Sequence, residues 1–427
     1  MTTSPQNRSL RRAAARSGPT RRAGLAALTL AVAALAPLGP SSAAPSSSTG
    51  TPAGTVMPAL TDAVAGPSAL TPEARAEIAR VLAEGTTAAR LARGTKAQSP
   101  AVLAKRLIRC ATFEEQRYCL GLGWTQATPT EAAGRFATAA QPLSARASRE
   151  AERTGDLSAA ALLKQRARLS PEALARLERV ELRQAARSVA KIWLLRHQIQ
   201  GTPLPNGFLA RHPEVRTSAP TALARGGGNL ANPVKTVHDY PEKGRVLNET
   251  HVNDQRMTYW CGPTTMQMIA WTKKDPVRKQ RYWAKQLGTT TSGTGITDMV
   301  RVINSQTNWD KPERAGTYVV LDISDLTFGQ WTLLIRRHVW DYRAPMVFHP
   351  VLLKEFYPYL DDDASGHYQV GRGYDNNPTG PTKVSFFEPW NQQRFDPSEP
   401  FIERVQWRSA YKSYRANQEH HLHNMGV

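Results

Sequence analysis

The 427-residue sequence predicts an α+β protein, with an all-α N-terminal region ahead of a domain in which helices precede an antiparallel sheet. Three observations carry that prediction. Residues 70–200 place apolar side chains at helical spacing, with no alternation of the kind a strand shows. After His238 the composition changes, and eight of the ten tryptophans fall there. In that half one helix start, at Cys261-Gly262-Pro263, comes before short β-rich runs such as Val319-Val320-Leu321, Met346-Val347-Phe348, Tyr368-Gln369-Val370 and Val384-Ser385-Phe386-Phe387.

The boundaries follow from composition. Residues 1–44 hold six arginines and no acid, an apolar run over 24–36, and small residues ending in Ala43-Ala44. That order predicts a secretory signal peptide cut near Ala43 or Ala44. Thr20-Arg21-Arg22 half-matches a twin-arginine export signal. No second long apolar run follows, so no membrane span is expected in the mature chain. Residues 45–69 read as a flexible mature start and 201–235, with Gly226-Gly227-Gly228, as a linker. Residues 236–427 form the second domain.

Within 70–200, Thr71-Pro72-Glu73 and Ser170-Pro171-Glu172 are both helix starts: a capping hydroxyl, a proline needing no amide donor, and an acid in the first turn. Gly85 is expected to end the first helix. The region is a candidate prosegment or targeting domain.

The formal charge is +20, and loss of the six leader arginines lowers it to +14. A secreted chain this basic is expected to meet anionic cell-wall polymers. No zinc finger, helix-turn-helix or aromatic-basic repeat supports a nucleic-acid partner. Of three cysteines, Cys110 and Cys119 are the natural disulfide pair in an oxidising compartment. Cys261 is left over. At a helix N-terminus its thiol pKa is expected to fall, because the helix dipole favours the thiolate.

His367, in Ser365-Gly366-His367-Tyr368, is expected to open a strand and act as the base. A third group should orient its imidazole: Glu388 first, then Asn391, then Asp375. His420, His421 and His423 read as a solvated tail rather than a metal site, and Asp361-Asp362-Asp363 as a solvated loop. No cofactor and no metal is expected.

Gln255, then Tyr259-Trp260-Cys261-Gly262-Pro263, then Gly366-His367-Tyr368 with Gly373-Tyr374-Asp375, then Glu388-Pro389, resembles the bacteriocin-processing peptidase family, family 39 of the cysteine peptidases. Within it the likeness is to exported, stand-alone members of actinobacterial type, over residues 246–390. The resemblance implies a papain-like fold, with the cysteine-bearing helix packed on an antiparallel sheet, and thiol-dependent amide cleavage. It implies Cys261 as nucleophile, His367 as base and Gln255 as the side-chain donor to the oxyanion. The family usually carries Asp-Pro where this chain has Glu388-Pro389. Thr291-Ser292-Gly293-Thr294-Gly295-Ile296 resembles a family loop without a chemical role. The sequence has no transporter segments, so cleavage of leader peptides does not carry over.

The expected function is an exported peptidase acting on a peptide or protein substrate. Alternatives are a cysteine-dependent cell-wall amidase or acyl transferase, and a catalytically silent wall-associated binding protein of the same fold.

Overall fold

The structure, a computed structural model, describes residues 69–92, 98–141, 153–212, 235–271, 278–311, 316–377, 379–395, 397 and 400–427. The expected signal peptide, nearly all of the expected flexible start, and residues 213–234 of the expected linker lie outside them. No helix among the described residues is long and apolar enough to cross a membrane.

The architecture is α+β. Helix α1 (Pro72–Ala92) starts at Thr71, whose hydroxyl accepts from the Ala74 amide. It does not stop at Gly85. The glycine is there for packing, since a side chain at 85 would run into the buried Arg109 guanidinium. Helix α2 (Pro100–Leu107) leads into three short strands, β1 (Cys110–Phe113), β2 (Gln116–Cys119) and β3 (Gly123–Thr125). The all-α expectation for this region is therefore corrected. The β1–β2 turn is made by Glu114 and Glu115, both at positive φ, so it carries none of the Asn-Gly chemistry that marks a hairpin in sequence. Tertiary contacts hold it instead: the Trp193 indole donates to the Glu114 carbonyl, and His212 Nε2 lies 2.9 Å from its carboxylate. Cys110 and Cys119 are directly paired across these strands and joined by a disulfide.

Helices α3 (Pro129–Ala139), α4 (Ala159–Arg168) and α5 (Pro171–Gln200) follow. The long α5 is capped by the Ser170 hydroxyl and closed by Gly201 in the left-handed region. Beyond it come β4 (Lys243–Arg245), α6 (Cys261–Trp271), α7 (Gln280–Leu287), α8 (Ile296–Gln306), β5 (Val320–Asp322) and α9 (Phe328–Arg336). The chain ends through β6 (Met346–Phe348), β7 (Gln369–Asp375), β8 (Lys383–Phe387), β9 (Val405–Ser409), α10 (Ala410–Glu419) and β10 (Asn424–Gly426).

One sheet runs β1-β2-β3-β5-β10-β6-β7-β8-β9, with β4 paired to β7. Every pairing is antiparallel except β3 with β5, which meet at Trp124 and Leu321. Residues 70–200 and 236–427 thus contribute to the same sheet, and the described residues belong to one compact unit. Ile78, Leu182, Val189 and Trp193 share a core with Leu321, Trp331, Phe348 and Met425. A second core packs α6 and α8 against Val347, Val370 and Phe387 of the sheet.

The expected solvated histidine tail is also corrected. Residues 424–426 fill the centre of the sheet between β5 and β6, and His420 is buried just ahead of them. Three residues are too short a run for alternation to announce a strand.

Burial sets one pH response. His338 sits in the π-helical extension of α9 (Arg337–Asp341), fully buried, its Nδ1 on the Ala344 carbonyl. Burial, and then the charge of Lys191, pushes its imidazole down to about 3 from the ordinary 6.5. A depressed folded value means the unfolded chain binds the proton first. Stability is whole above 6.5 and is lost as pH falls below it, by about 2 kcal/mol at pH 5 for this group. Burial pushes His421 down to about 4, so it acts in the same sense. Thermal unfolding at pH 7 and pH 5 is expected to show a lower Tm in acid, with a smaller loss in His338→Gln. An equal loss in both proteins would remove His338 from the account.

Candidate active site

Cys261 is the first residue of α6 and wholly buried. Pro263 suits a first helical turn, where no amide donor is required. The Thr265 hydroxyl donates to the Tyr368 carbonyl at 3.1 Å, and the Tyr368 amide points at the Cys261 sulfur. The start of α6 is thereby fastened to the segment that carries His367. That histidine lies two residues before β7 rather than opening it, its amide bonded to the Pro350 carbonyl.

His367 Nε2 bonds Glu388 Oε1 at 2.7 Å, both side chains being fully buried. The same carboxylate accepts from the Trp390 amide, the Tyr359 hydroxyl and the Gln369 amide group. Burial alone would raise the Glu388 carboxyl, but His367 and these donors outweigh it and hold the group below its usual range. An ionised acceptor places the ring proton on Nε2. His367 Nδ1 is buried without a hydrogen-bond partner. The other two orienting candidates are engaged elsewhere. Asn391 donates to Asp254, and Asp375 lies at the end of β7 paired with Lys243.

The thiol does not behave as a helix N-terminus alone would dictate. Burial, followed by the negative charge of Asp156, pushes Cys261 well above its ordinary value, so the expected depression is corrected for this conformation. Gln255 is likewise not free. Its Nε2 faces three carbonyls, those of Thr154 (3.3 Å), Met257 (3.1 Å) and Thr258 (3.0 Å).

Asp156, which sequence reasoning passed over, sits in this neighbourhood with His349 and His420. His420 Nε2 is 3.1 Å and His349 Nε2 3.7 Å from Asp156 Oδ2. Burial would raise this carboxyl, yet the two imidazoles hold it far below the usual range. One ligand atom from each of the three lies within 4.8 Å of the others, a donor set within reach of a divalent cation. The tautomers point to a different use. The Leu422 amide donates to His420 Nδ1, so the proton of a neutral ring sits on Nε2 and is directed at the carboxylate. No spacing rule connects positions 156, 349 and 420. The only sequence signal was the histidine cluster at 420–423.

Fold and site together define an α+β protein with a buried thiol at a helix start and a buried imidazole–carboxylate pair on the segments packed near that helix. The segment that carries them, residues 246–416, matches the model of the Peptidase_C39 like family, and the match supports a C39-like peptidase assignment for that part of the chain. No curated protein and no solved structure matches the chain.

Proposed function

We propose that the protein is an exported thiol-dependent peptidase with Cys261 as nucleophile, His367 as base and Glu388 as the group that orients the imidazole. The observation that carries this is the His367 ring. Its Nε2 is bonded to Glu388 at 2.7 Å and its Nδ1 is left without a partner beside the segment whose amide meets the Cys261 sulfur. The family match over residues 246–416 supports the same reaction class.

In this reading the Cys261 proton passes to His367 Nδ1 and the thiolate adds to a peptide carbonyl carbon. The Cys261 amide and the Gln255 side chain receive the developing oxyanion, once Gln255 releases the carbonyls it now serves. The imidazolium then protonates the leaving amine as the C–N bond breaks, leaving a thioester. Water, deprotonated by His367, attacks the thioester and returns the free thiol and a carboxylic acid. Export rests on the composition of residues 1–44, and contact with anionic wall polymers on the formal charge.

Purified protein is expected to cleave members of a mixed peptide pool, with iodoacetamide or Cys261→Ala lowering the rate by at least about 10³-fold. Turnover that persists in Cys261→Ala would sink the proposal. The silent binding protein is favoured by one observation, the wholly buried thiol with its raised pKa. It predicts no cleavage and no alkylation of the native protein at neutral pH.

A further inference from the structure

We propose that the segment Thr154–Leu157 occupies the peptide channel of this site, and that the pocket holding its Asp156 side chain, between His349 and His420, is a subsite for an acidic side chain of the substrate. The inference rests on the peptidase reading above and names the substrate class for it.

The segment is bound as an extended peptide would be. The Thr294 amide donates to the Gly155 carbonyl at 3.0 Å, and the Leu157 amide donates to the Thr294 carbonyl at 2.8 Å, a parallel bridge centred on Asp156. The loop at 291–296 thereby gains a physical role. Its backbone is a docking edge, and Tyr368 steadies it by donating its hydroxyl to the Thr294 carbonyl. On the other side, the Thr154 hydroxyl donates to the Gly366 carbonyl at 2.6 Å, next to His367, and its amide donates to the Ser365 hydroxyl. The Thr154 carbonyl accepts from Gln255, the side chain assigned above to the oxyanion. Four relations thus converge on one short stretch: it touches the docking loop, the base-bearing segment and the oxyanion donor, and its carboxylate acts on the nucleophile.

Two glycines are required by this fit. Gly155 has φ +114°, and a side chain there would run into the Tyr259 backbone, two residues from the nucleophile. A side chain at Gly366 would take the space of the Asp156 carboxylate and the His420 ring.

The pocket has acid-binding chemistry. Asp156 Oδ2 receives the His420 Nε2 hydrogen bond. The Asn424 amide nitrogen is committed to the Leu122 carbonyl, so its oxygen faces His349 Nδ1 and places a proton there. His349 Nε2, buried and without a hydrogen-bond partner, is turned toward the same carboxylate. A substrate strand displacing 154–157 finds a docking edge for its backbone and the His420 N–H for an Asp or Glu side chain.

The test uses the intact chain. Asp156→Ala and Gly155→Val, the second expelling the segment with its carboxylate retained, are treated with iodoacetamide, and Cys261 labelling is timed by mass spectrometry. Binding of an Asp-containing peptide set and its Asn counterparts is measured by fluorescence anisotropy in the same variants. Labelling at least ten-fold faster than in the parent, and at least ten-fold tighter binding of the acidic set that disappears on adding His420→Gln, is the expected result. Unchanged labelling in both variants overturns the occupancy. Equal binding of the acidic and amide sets overturns the acid subsite. Neither readout needs turnover, so success in both with no cleavage of any peptide removes the peptidase reading and leaves an acidic-peptide binding site.

Discussion

Replacing Glu388 by glutamine is expected to lower kcat by about 10³-fold or more with little change in KM, as happens when the acceptor behind a catalytic imidazole is neutralised. The carboxylate meets four donors and offers no hydrogen of its own: His367 and Trp390 on Oε1, Tyr359 and Gln369 on Oε2. A glutamine in the same volume turns one of its two ends into a donor. If the nitrogen faces His367, the ring must present a bare Nε2 and move its proton to Nδ1, where the thiol proton has to go. If it faces Tyr359 and Gln369, two donor groups oppose it in a fully buried site, at a cost of about 1–3 kcal/mol in stability. Steady-state kinetics with thermal melting separates the two cases. A variant with near-parental kcat would show that Glu388 does not set the ring.

A chain shortened to residues 236–427 is expected not to fold. Trp124 of β3 is fully buried, pairs with Leu321 of β5 and donates its indole N–H to Ser188 of α5. Beside it Asp322 accepts from Thr125 at 2.6 Å and from Arg135 at 2.7 Å, and both bonds are lost with the N-terminal residues. The core residues of α5 are lost with them, baring Leu321, Trp331 and Met425. In the full chain, Trp124→Ala alone is expected to cost about 3–5 kcal/mol in urea unfolding. A soluble 236–427 fragment with a cooperative transition would overturn this, and would revive a removable prosegment. As built, residues 70–200 act as part of the domain, so displacement of 154–157 has to be local.

What the sequence makes legible follows from range. Ser170-Pro171 and Cys261-Gly262-Pro263 announce helix starts because capping and proline chemistry act within one turn. Glu388, as a carboxylate just past the strand that follows His367, could be nominated for the imidazole because adjacent antiparallel strands bring their flanking positions together. The strands at 110–125 are silent in the sequence because their turn uses two glutamates at positive φ, with Glu114 held by distant Trp193 and His212. The Thr154 carbonyl that engages Gln255 and the Asp156 charge that adds to burial in raising the thiol pKa both come from more than 100 residues upstream. Nothing local to Cys261 encodes them. The pocket at His349 and His420 has the same origin, since its parts meet only when the sheet is complete.

The order of strands in the sheet has a consequence for folding. Residues 424–426 separate β5 from β6, so the left flank, β1-β2-β3-β5, and the right flank, β6-β7-β8-β9, touch through a strand that follows all the others in the chain. Until that strand is in place the two flanks of the sheet are unjoined, and pairing between such remote stretches is slow to form. The sheet therefore closes in one step, when a strand is inserted between two flanks that do not pair with each other directly.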